Sequence, residues 1–305
     1  MAERFAFEVP GFFRLRTYFD INRLTWVIEI ALSVPWYFTK LEWSSRGGAP
    51  SMITTLIVLA HPERHSFNGT WADATARASE ELGHEVLWSD LGSMAFDPAE
   101  SRGNFPDYPD DAPFDPLKAQ EWSAGSGTLP NDVAAEIGKL NRADRVIFHF
   151  PLWWFAPPAV LKGWFDRVLA HGATHTIDER FDTGRYRGKK ALFCVTAGAS
   201  EAELSHNGKE GDVHLQLWPA AYTLRYLGFT ILQPEIIFGV HGYYPGEEEL
   251  TLRDRLTGVL ANHSAVIRDF DRRSRLSFNP DSDFDAKGRL KPDSPSHSPF
   301  IRHQP

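Results

Sequence analysis

The sequence predicts an α/β protein built on an open, parallel, five-stranded sheet with helices on both faces. Two observations lead to this prediction. Short apolar runs, such as residues 56–60, are typical of strands buried in a parallel sheet. Stretches with apolar residues at helical spacing follow these runs, and strands and helices then alternate along most of the chain. This alternation indicates crossover helices that cover both faces of the sheet.

The predicted elements follow one another in chain order. Strands are expected at 56–60, 84–88, 145–150 and 190–196, and within 230–240. The first helix should begin after Ser66, a natural N-cap, and further helices are expected around 133–140, 161–169 and 215–226. Residues 92–129 are rich in Pro, Asp, Gly and Ser without a steady period, which indicates a long irregular excursion.

The two ends of the chain differ from this core, and we divide the sequence accordingly. Residues 52–245 form the α/β domain, 246–273 hold a charged C-terminal helix, and 274–305 form an extended arm without its own core. Residues 1–51 form an N-terminal extension whose longest uncharged run is too short to span a membrane. We leave two interpretations of it open: an amphipathic surface helix, or an appendage outside the fold.

Composition excludes several classes of function. The net charge of -8 argues against nucleic acid as a partner. The one cysteine, Cys194, cannot form an internal disulfide, which favours a reducing, cytoplasmic location. Because the sequence has no paired Cys or His spacing, we expect no metal site.

Three predicted strands end in segments suited to binding a ligand. His61 and Ser66 follow the first strand, where a helix start offers free N–H groups to an anion such as the phosphates of a flavin. Trp153, Trp154 and Phe155 follow the third strand and could stack on a flat conjugated ring, although an apolar hinge or a dimer contact would use the same residues. Small residues at 196–200 would let backbone N–H groups approach a ring edge.

Together these segments resemble the flavodoxin-like NAD(P)H:quinone oxidoreductases, the DT-diaphorase-like family. Matching segments lie at 60–68, 89–91, 146–152 and 158–168, with weaker matches at 211–212 and 217–219. The most specific is the block Lys162-Gly163-Trp164-Phe165-Asp166-Arg167. The resemblance covers about residues 53–240, most of the chain.

The resemblance implies a flavodoxin-like fold and a homodimer with FAD at the subunit interface, FMN being less expected. It also implies NAD(P)H as the hydride donor and a quinone-type acceptor. The cofactor-binding residues that it implies are His61, His65, Ser66, Phe67, Asn68, Pro151, Leu152, Trp153, Trp154, Phe155, Thr196, Ala197, Gly198 and Ala199. Trp154 and Phe155 would also act in catalysis.

The sequence departs from the family beside the expected flavin. Leu204 and Glu210 stand where well-known members carry a Tyr and a His, and His175 and Ile177 replace pocket tyrosines. We therefore expect a substrate pocket lined by His175, Ile177 and Leu204. Either His206 or Lys209 could supply the missing positive charge, or both are simply exposed loop residues.

The leading functional prediction is an FAD-dependent NAD(P)H dehydrogenase that reduces quinones by two-electron hydride transfer. One alternative is a flavoprotein regulatory subunit of a potassium efflux system, to which the aromatic N-terminal segment would be suited. Another is a flavodoxin-like electron carrier with FMN. The long excursion and the C-terminal arm favour the enzyme.

Overall fold

The computed structural model describes residues 52–109 and 113–303, together with the backbone of four strands that precede them. These strands, β1 (Arg4–Phe7), β2 (Phe13–Asp20), β3 (Thr25–Leu32) and β4 (Lys40–Glu42), form an antiparallel sheet in that order. The surface helix left open by the sequence analysis is therefore wrong for these residues. The alternation of apolar and charged residues at 13–16 has the period of a strand, and that signal was missed.

The main sheet contains six parallel strands: β5 (Thr54–Leu59), β6 (Glu85–Asp90), β7 (Arg145–Pro151), β8 (Lys190–Thr196), β9 (Thr230–Ile231) and β10 (Glu235–Ile237). Their order is β6-β5-β7-β8-β10, and β9 also pairs with β8. The predicted five-position parallel sheet is thus confirmed. Two short strands share the fifth position because Pro234 has no N–H group and the amide of Gln233 donates to Ser274 O at 2.8 Å instead.

Six helices lie in the described part of this unit: α1 (Phe67–Glu81), α2 (Pro116–Ser126), α3 (Asn131–Arg142), α4 (Ala159–Val168), α5 (Val213–Tyr226) and α6 (Glu247–Arg268). Side chains that alternate along β5 show how both faces are covered. Leu56 and Val58 belong to the core shared with α3, α4 and α5, while Ile57 and Leu59 pack against α1. None of these helices combines the length and the apolar content needed to span a membrane.

The excursion over 92–129 is more ordered than the sequence indicated, because it contains α2. Asp115 caps that helix by accepting N–H groups from Leu117 and Lys118, and Gly127 ends it with φ of 73°. Pro at the first helical position and Gly after the last are ordinary helix signals. They were missed because α2 has little amphipathic pattern and buries only a few residues.

The C-terminal helix is shorter than the predicted 246–273 segment, ending at Arg268 before a single 3₁₀ turn. The arm beyond it packs on the main core. Phe278 packs against that core, and the ring of Phe300 stacks on Trp218 with the centroids 4.6 Å apart.

Candidate functional site

The loops after β5, β7 and β8 meet at the carboxyl edge of the sheet. The Leu152 amide donates to Thr196 O at 2.7 Å, which joins the second loop to the end of β8. Asn68 Nδ2 donates to Thr196 Oγ1 at 2.8 Å, and both side chains are buried. In an open parallel sheet this edge, beyond the strand ends, is where ligands bind.

The loop after β5 is shaped by its own side chains. Ser66 caps α1 by accepting the Gly69 N–H at 3.2 Å, and the Glu63 carboxylate accepts the His65 N–H at 2.7 Å. The Glu63 N–H donates to His61 Nδ1 at 3.0 Å. His61 Nδ1 also lies 3.0 Å from Glu63 O, so Nε2 is the ring nitrogen that remains for a ligand.

Arg64, the basic residue of this loop, holds the loop in place. Its guanidinium forms an ion pair with Asp73 and lies 3.1 Å from Asp90 Oδ2, and it also lies 5.1 Å from the Trp88 ring centroid. The loop wraps closely around the helix start, since a Cβ on Gly69 would lie 1.9 Å from Arg64 O. The positive charge of Arg64 is thus paired within the protein, so an anion at this loop would have to be bound by the backbone N–H groups.

The loop after β7 is a strained hairpin turn. The backbones of Trp153 and Ala156 exchange two hydrogen bonds of 3.0 and 3.1 Å, and the central residues Trp154 and Phe155 have φ of 49° and 62°. Such turns normally use Asn-Gly, because the left-handed region costs other residues about 1–2 kcal/mol each. Trp154 is 93% exposed and Phe155 53% exposed. Bulky aromatics held in this conformation indicate a function for the turn.

The loop after β8 is supported from the sheet edge. The Ala197 amide donates to Ile237 O, and the Gly239 amide donates to Ala199 O, both at 2.9 Å. Within the described part of the chain the N–H groups of Gly198 and Ala199 make no hydrogen bond. They remain available as donors. Sequence reasoning missed the support from 237–239, because it did not place β10 beside this loop.

A cleft of about 250 Å³, called the rim cleft below, lies where the loop after β7 meets the loop after β8. It brings together predicted cofactor residues, the predicted pocket residue Leu204 and Glu210. The lining residues are Leu152, Trp154, Phe155, Ala197, Gly198, Ala199, Leu204 and Glu210.

The remaining predicted cofactor residues are not among those that line this cleft. Trp153 has its ring centroid 5.8 Å from that of His61. Pro151 is buried at the end of β7, in register with Thr196. Phe67 packs inward, with its ring 5.6 Å from that of Trp71, so its side chain belongs to the core.

Four predicted residues lie away from the cleft in the single chain. His175 lines a different cleft beside Trp218 and Tyr226, and Ile177 is 70% exposed. His206 is exposed, and Lys209 Nζ lies 2.9 Å from Glu203 Oε1. These positions do not assemble one pocket within one chain.

The Lys209–Glu203 pair changes the acid–base properties of the loop after β8. The hydrogen bond from Lys209, together with those from the amide and hydroxyl of Ser200, lowers the pKa of Glu203 to about 2. The same pair raises the pKa of Lys209. Lys209 is therefore engaged with Glu203 and stays charged at neutral pH.

Residues 53–256 match the protein family described as having a flavodoxin-like fold. This match gives the class of protein to which the chain belongs. Rat NAD(P)H dehydrogenase (quinone) 1 is 38% identical over 232 residues, which is 75% of this chain and 82% of the rat protein. Human ribosyldihydronicotinamide dehydrogenase (quinone) is 37% identical over 185 residues, 60% of this chain and 80% of the human protein.

Solved structures give the same result. A Klebsiella pneumoniae protein described as a quinone reductase superposes with a TM-score of 0.70 at 29% identity, covering 79% of this chain and 95% of that one. An NAD(P)H:quinone oxidoreductase from Methanothermobacter marburgensis has a TM-score of 0.54 at 27% identity, with 72% and 98% covered. The chain belongs to the NAD(P)H dehydrogenase (quinone) family.

Proposed function

We propose that this protein is an FAD-dependent NAD(P)H dehydrogenase that passes two electrons from NAD(P)H, through the bound flavin, to quinone-type acceptors. The observation that carries the proposal is the convergence of three loops around the rim cleft, with Trp154 and Phe155 held there in a strained turn. The relatives named above support the reaction type.

The residues at the rim suit a flavin in three ways. Asn68 Oδ1 is buried without a hydrogen-bond partner among the described residues, so it can accept from a sugar-alcohol hydroxyl. The N–H groups of Gly198 and Ala199 can donate to the oxygens of a ring edge. The start of α1 and Nε2 of His61 suit phosphate oxygens.

A bound flavin would supply the two-electron chemistry, accepting a hydride from the nicotinamide and delivering it to the quinone. The protein's own residues then position and shield the reactants. Trp154 and Phe155 present flat faces for stacking, while Leu152 and Leu204 exclude water from the cleft. The Gly198 and Ala199 donors, which are fixed by the fold, would stabilise negative charge at the ring edge without rearranging.

FAD rather than FMN, a homodimer and a cytoplasmic location complete the proposal. The large exposure of Trp154, an apolar side chain that lines the cleft, supports a partner surface there. The separation of His175 and Ile177 from Leu204 fits a pocket to which two chains contribute. The regulatory subunit and the electron carrier are not favoured, because the relatives named above are dehydrogenases and oxidoreductases of quinones.

Anaerobic spectroscopy tests the proposal directly. The purified protein should be yellow, should bleach on mixing with NADPH or NADH, and should recover its colour on addition of a quinone. Chromatography of the released flavin should identify FAD, and light scattering should give twice the mass of the chain. Colour that persists with both nicotinamides would contradict the enzymatic function.

A matched pair of variants tests the flavin-binding role of Asn68. Asn68→Ala removes the bond to Thr196 and the free acceptor, so the flavin dissociation constant should rise about tenfold. Asn262→Ala makes the same change on the exposed side of α6 and should leave the constant unchanged. Equal effects in the two variants would remove Asn68 from the binding site.

A further inference from the structure

The rim cleft has one acidic wall. Among its lining residues within the described chain, Glu210 is the single charged side chain, and the others are apolar or small. We propose that Glu210 sets the charge preference of the electron acceptor: the cleft favours aromatic acceptors with a cationic group beside the ring and discriminates against anionic ones. This inference rests on the proposed function, because it assigns the acceptor to this cleft.

In the loop after β8, the carboxylate of Glu203 is paired with a cation, whereas the carboxylate of Glu210 has no ion pair among the described residues. Glu203 takes the Lys209 ammonium at 2.9 Å and also accepts the Ser200 N–H at 3.0 Å and hydroxyl at 2.9 Å. The Glu210 carboxylate makes no hydrogen bond or ion pair with any residue of 52–109 or 113–303. Lys209 attracts Glu210 electrostatically without forming an ion pair with it, so the carboxylate oxygens stay available to a ligand.

The helix that follows the loop does not satisfy Glu210 either. The N-terminus of α5 attracts negative charge, but Asp212 occupies that position and accepts the His214 N–H at 2.8 Å. Glu210 lies two residues earlier in the chain and lines the cleft.

The backbone fixes Glu210 beside the cleft. Its N–H donates to Glu203 O at 3.0 Å, and its carbonyl oxygen accepts from Gln216 Nε2 at 2.6 Å. The loop closes tightly between these bonds, since a Cβ on Gly208 would lie 2.1 Å from Glu203 O. These bonds fix the backbone from which the Glu210 side chain extends beside the cleft.

The surroundings make this charge effective. Leu152, Leu204 and Trp154 line the same cleft, so an acceptor placed over the bound flavin there would displace water from beside the carboxylate. Charges separated by several ångströms interact far more strongly in a cleft from which water has been displaced than in bulk water. The exposed Lys209–Glu203 pair, by contrast, is screened by solvent.

Two quinones that share one ring but carry either a trimethylammonium or a sulfonate group provide the kinetic test. With saturating NAD(P)H, the ratio of their kcat/KM values compares only the step with the acceptor. The wild-type protein should favour the ammonium compound by about tenfold. Glu210→Gln should remove most of this preference, and Glu210→Asp should retain part of it. Glu201→Gln, an equal charge change at an exposed site of the same loop, should preserve the preference.

Binding measured without turnover separates this inference from the proposed reaction. A naphthalene ring with either substituent cannot accept a hydride, so its dissociation constant from the oxidised holoenzyme reports recognition alone. The same order of affinities and the same response to Glu210→Gln are expected. Preference for the sulfonate in the wild type, or a preference that survives Glu210→Gln, would overturn the assignment of Glu210. Failure of NAD(P)H to reduce the protein would instead refute the proposed function.

Discussion

Trp154 and Phe155 hold backbone angles that aromatic side chains rarely adopt. Their turn is closed by the two hydrogen bonds between Trp153 and Ala156, and both central residues are left-handed. Packing within the chain compensates little for this strain, because Trp154 is almost fully exposed. The strain is explained if the rings contact a ligand or a partner chain.

Substitution of Phe155 tests this account of the turn. Both Phe155→Gly and Phe155→Ala remove the ring, so both should lower kcat/KM for quinone reduction. The glycine variant should unfold with a free energy about 1 kcal/mol higher than the alanine variant, because only glycine adopts a positive φ without penalty. Urea denaturation of the two flavin-free proteins measures the difference. Equal stabilities would show that the turn is not strained.

At the scale of elements, α1 and α6 are joined to β7 by a buried chain of hydrogen bonds. Trp71 Nε1 donates to His263 Nδ1 at 3.0 Å, which leaves the His263 proton on Nε2, 2.6 Å from Thr75 Oγ1. Thr75 Oγ1 also lies 2.9 Å from His149 Nε2. A second proton on His263, at Nδ1, would face the Trp71 N–H, so the network requires a neutral His263.

This network predicts that stability falls in mild acid. Burial, with a smaller effect of Arg273, lowers the pKa of His263 to about 4, and burial also lowers the pKa of His149. Because the folded-state pKa lies below the unfolded value, the unfolded chain binds more protons as the pH drops. The contribution of His263, about 3 kcal/mol, is complete above pH 6.5 and is lost progressively toward pH 4.

Urea unfolding at pH 7.5 and pH 5 measures this loss. His263→Gln should reduce the pH dependence, while His297→Gln, at an exposed position of the arm, should leave it unchanged. An unaltered dependence in His263→Gln would exclude this histidine as the source.

The excursion over 92–129 packs on α4 through a glycine. A Cβ on Gly163 would lie 2.3 Å from both Cα and O of Pro98, which explains why the Lys162-Gly163-Trp164 block has no side chain at its centre. The described residues of this excursion, 92–109 and 113–129, therefore include a segment that packs against α4.

Gly163→Ala should lower the free energy of unfolding by about 1–3 kcal/mol, since backbone atoms must move to make room. It should also speed proteolysis within 97–129. Gly138→Ala is a matched control in α3, where a Cβ meets nothing within 4 Å, and it should stabilise the protein by about 0.5–1 kcal/mol. Comparable behaviour of the two variants would show that the contact with Pro98 does not matter.

At the scale of the whole molecule, the chain divides into two compact units, Met1–Met52 and Ile53–Pro305. The clusters of buried apolar residues in the described chain, together with the rim cleft, are formed by residues of the second unit. The second unit therefore has what a folded, flavin-binding domain requires.

Deletion of residues 1–51 should accordingly leave a folded enzyme. We expect the same thermal unfolding midpoint, flavin content and kcat/KM as in the full chain, measured by circular dichroism, absorption and steady-state kinetics. Loss of folding or of bound flavin would show that the N-terminal unit is part of the functional domain.

The sequence by itself determined the sheet, because apolar runs and helical periodicity are local signals that the observed fold preserves. It also determined that the loops after β5, β7 and β8 lie together, since residues that follow parallel strands must meet at one edge. The N-terminal strands were missed although their alternation was visible, and α2 was missed because its short, weakly amphipathic sequence carries little pattern.

Only the tertiary structure decided how individual side chains are used. Arg64 is engaged with Asp73 and Asp90, and Lys209 with Glu203, whereas the carboxylate of Glu210, a residue that lines the cleft, makes no hydrogen bond or ion pair with the described residues. The strain at Trp154 and Phe155 likewise depends on how the turn closes. Ion pairs and backbone angles of this kind arise from contacts between distant residues or from three-dimensional loop geometry, and no spacing along the chain encodes them.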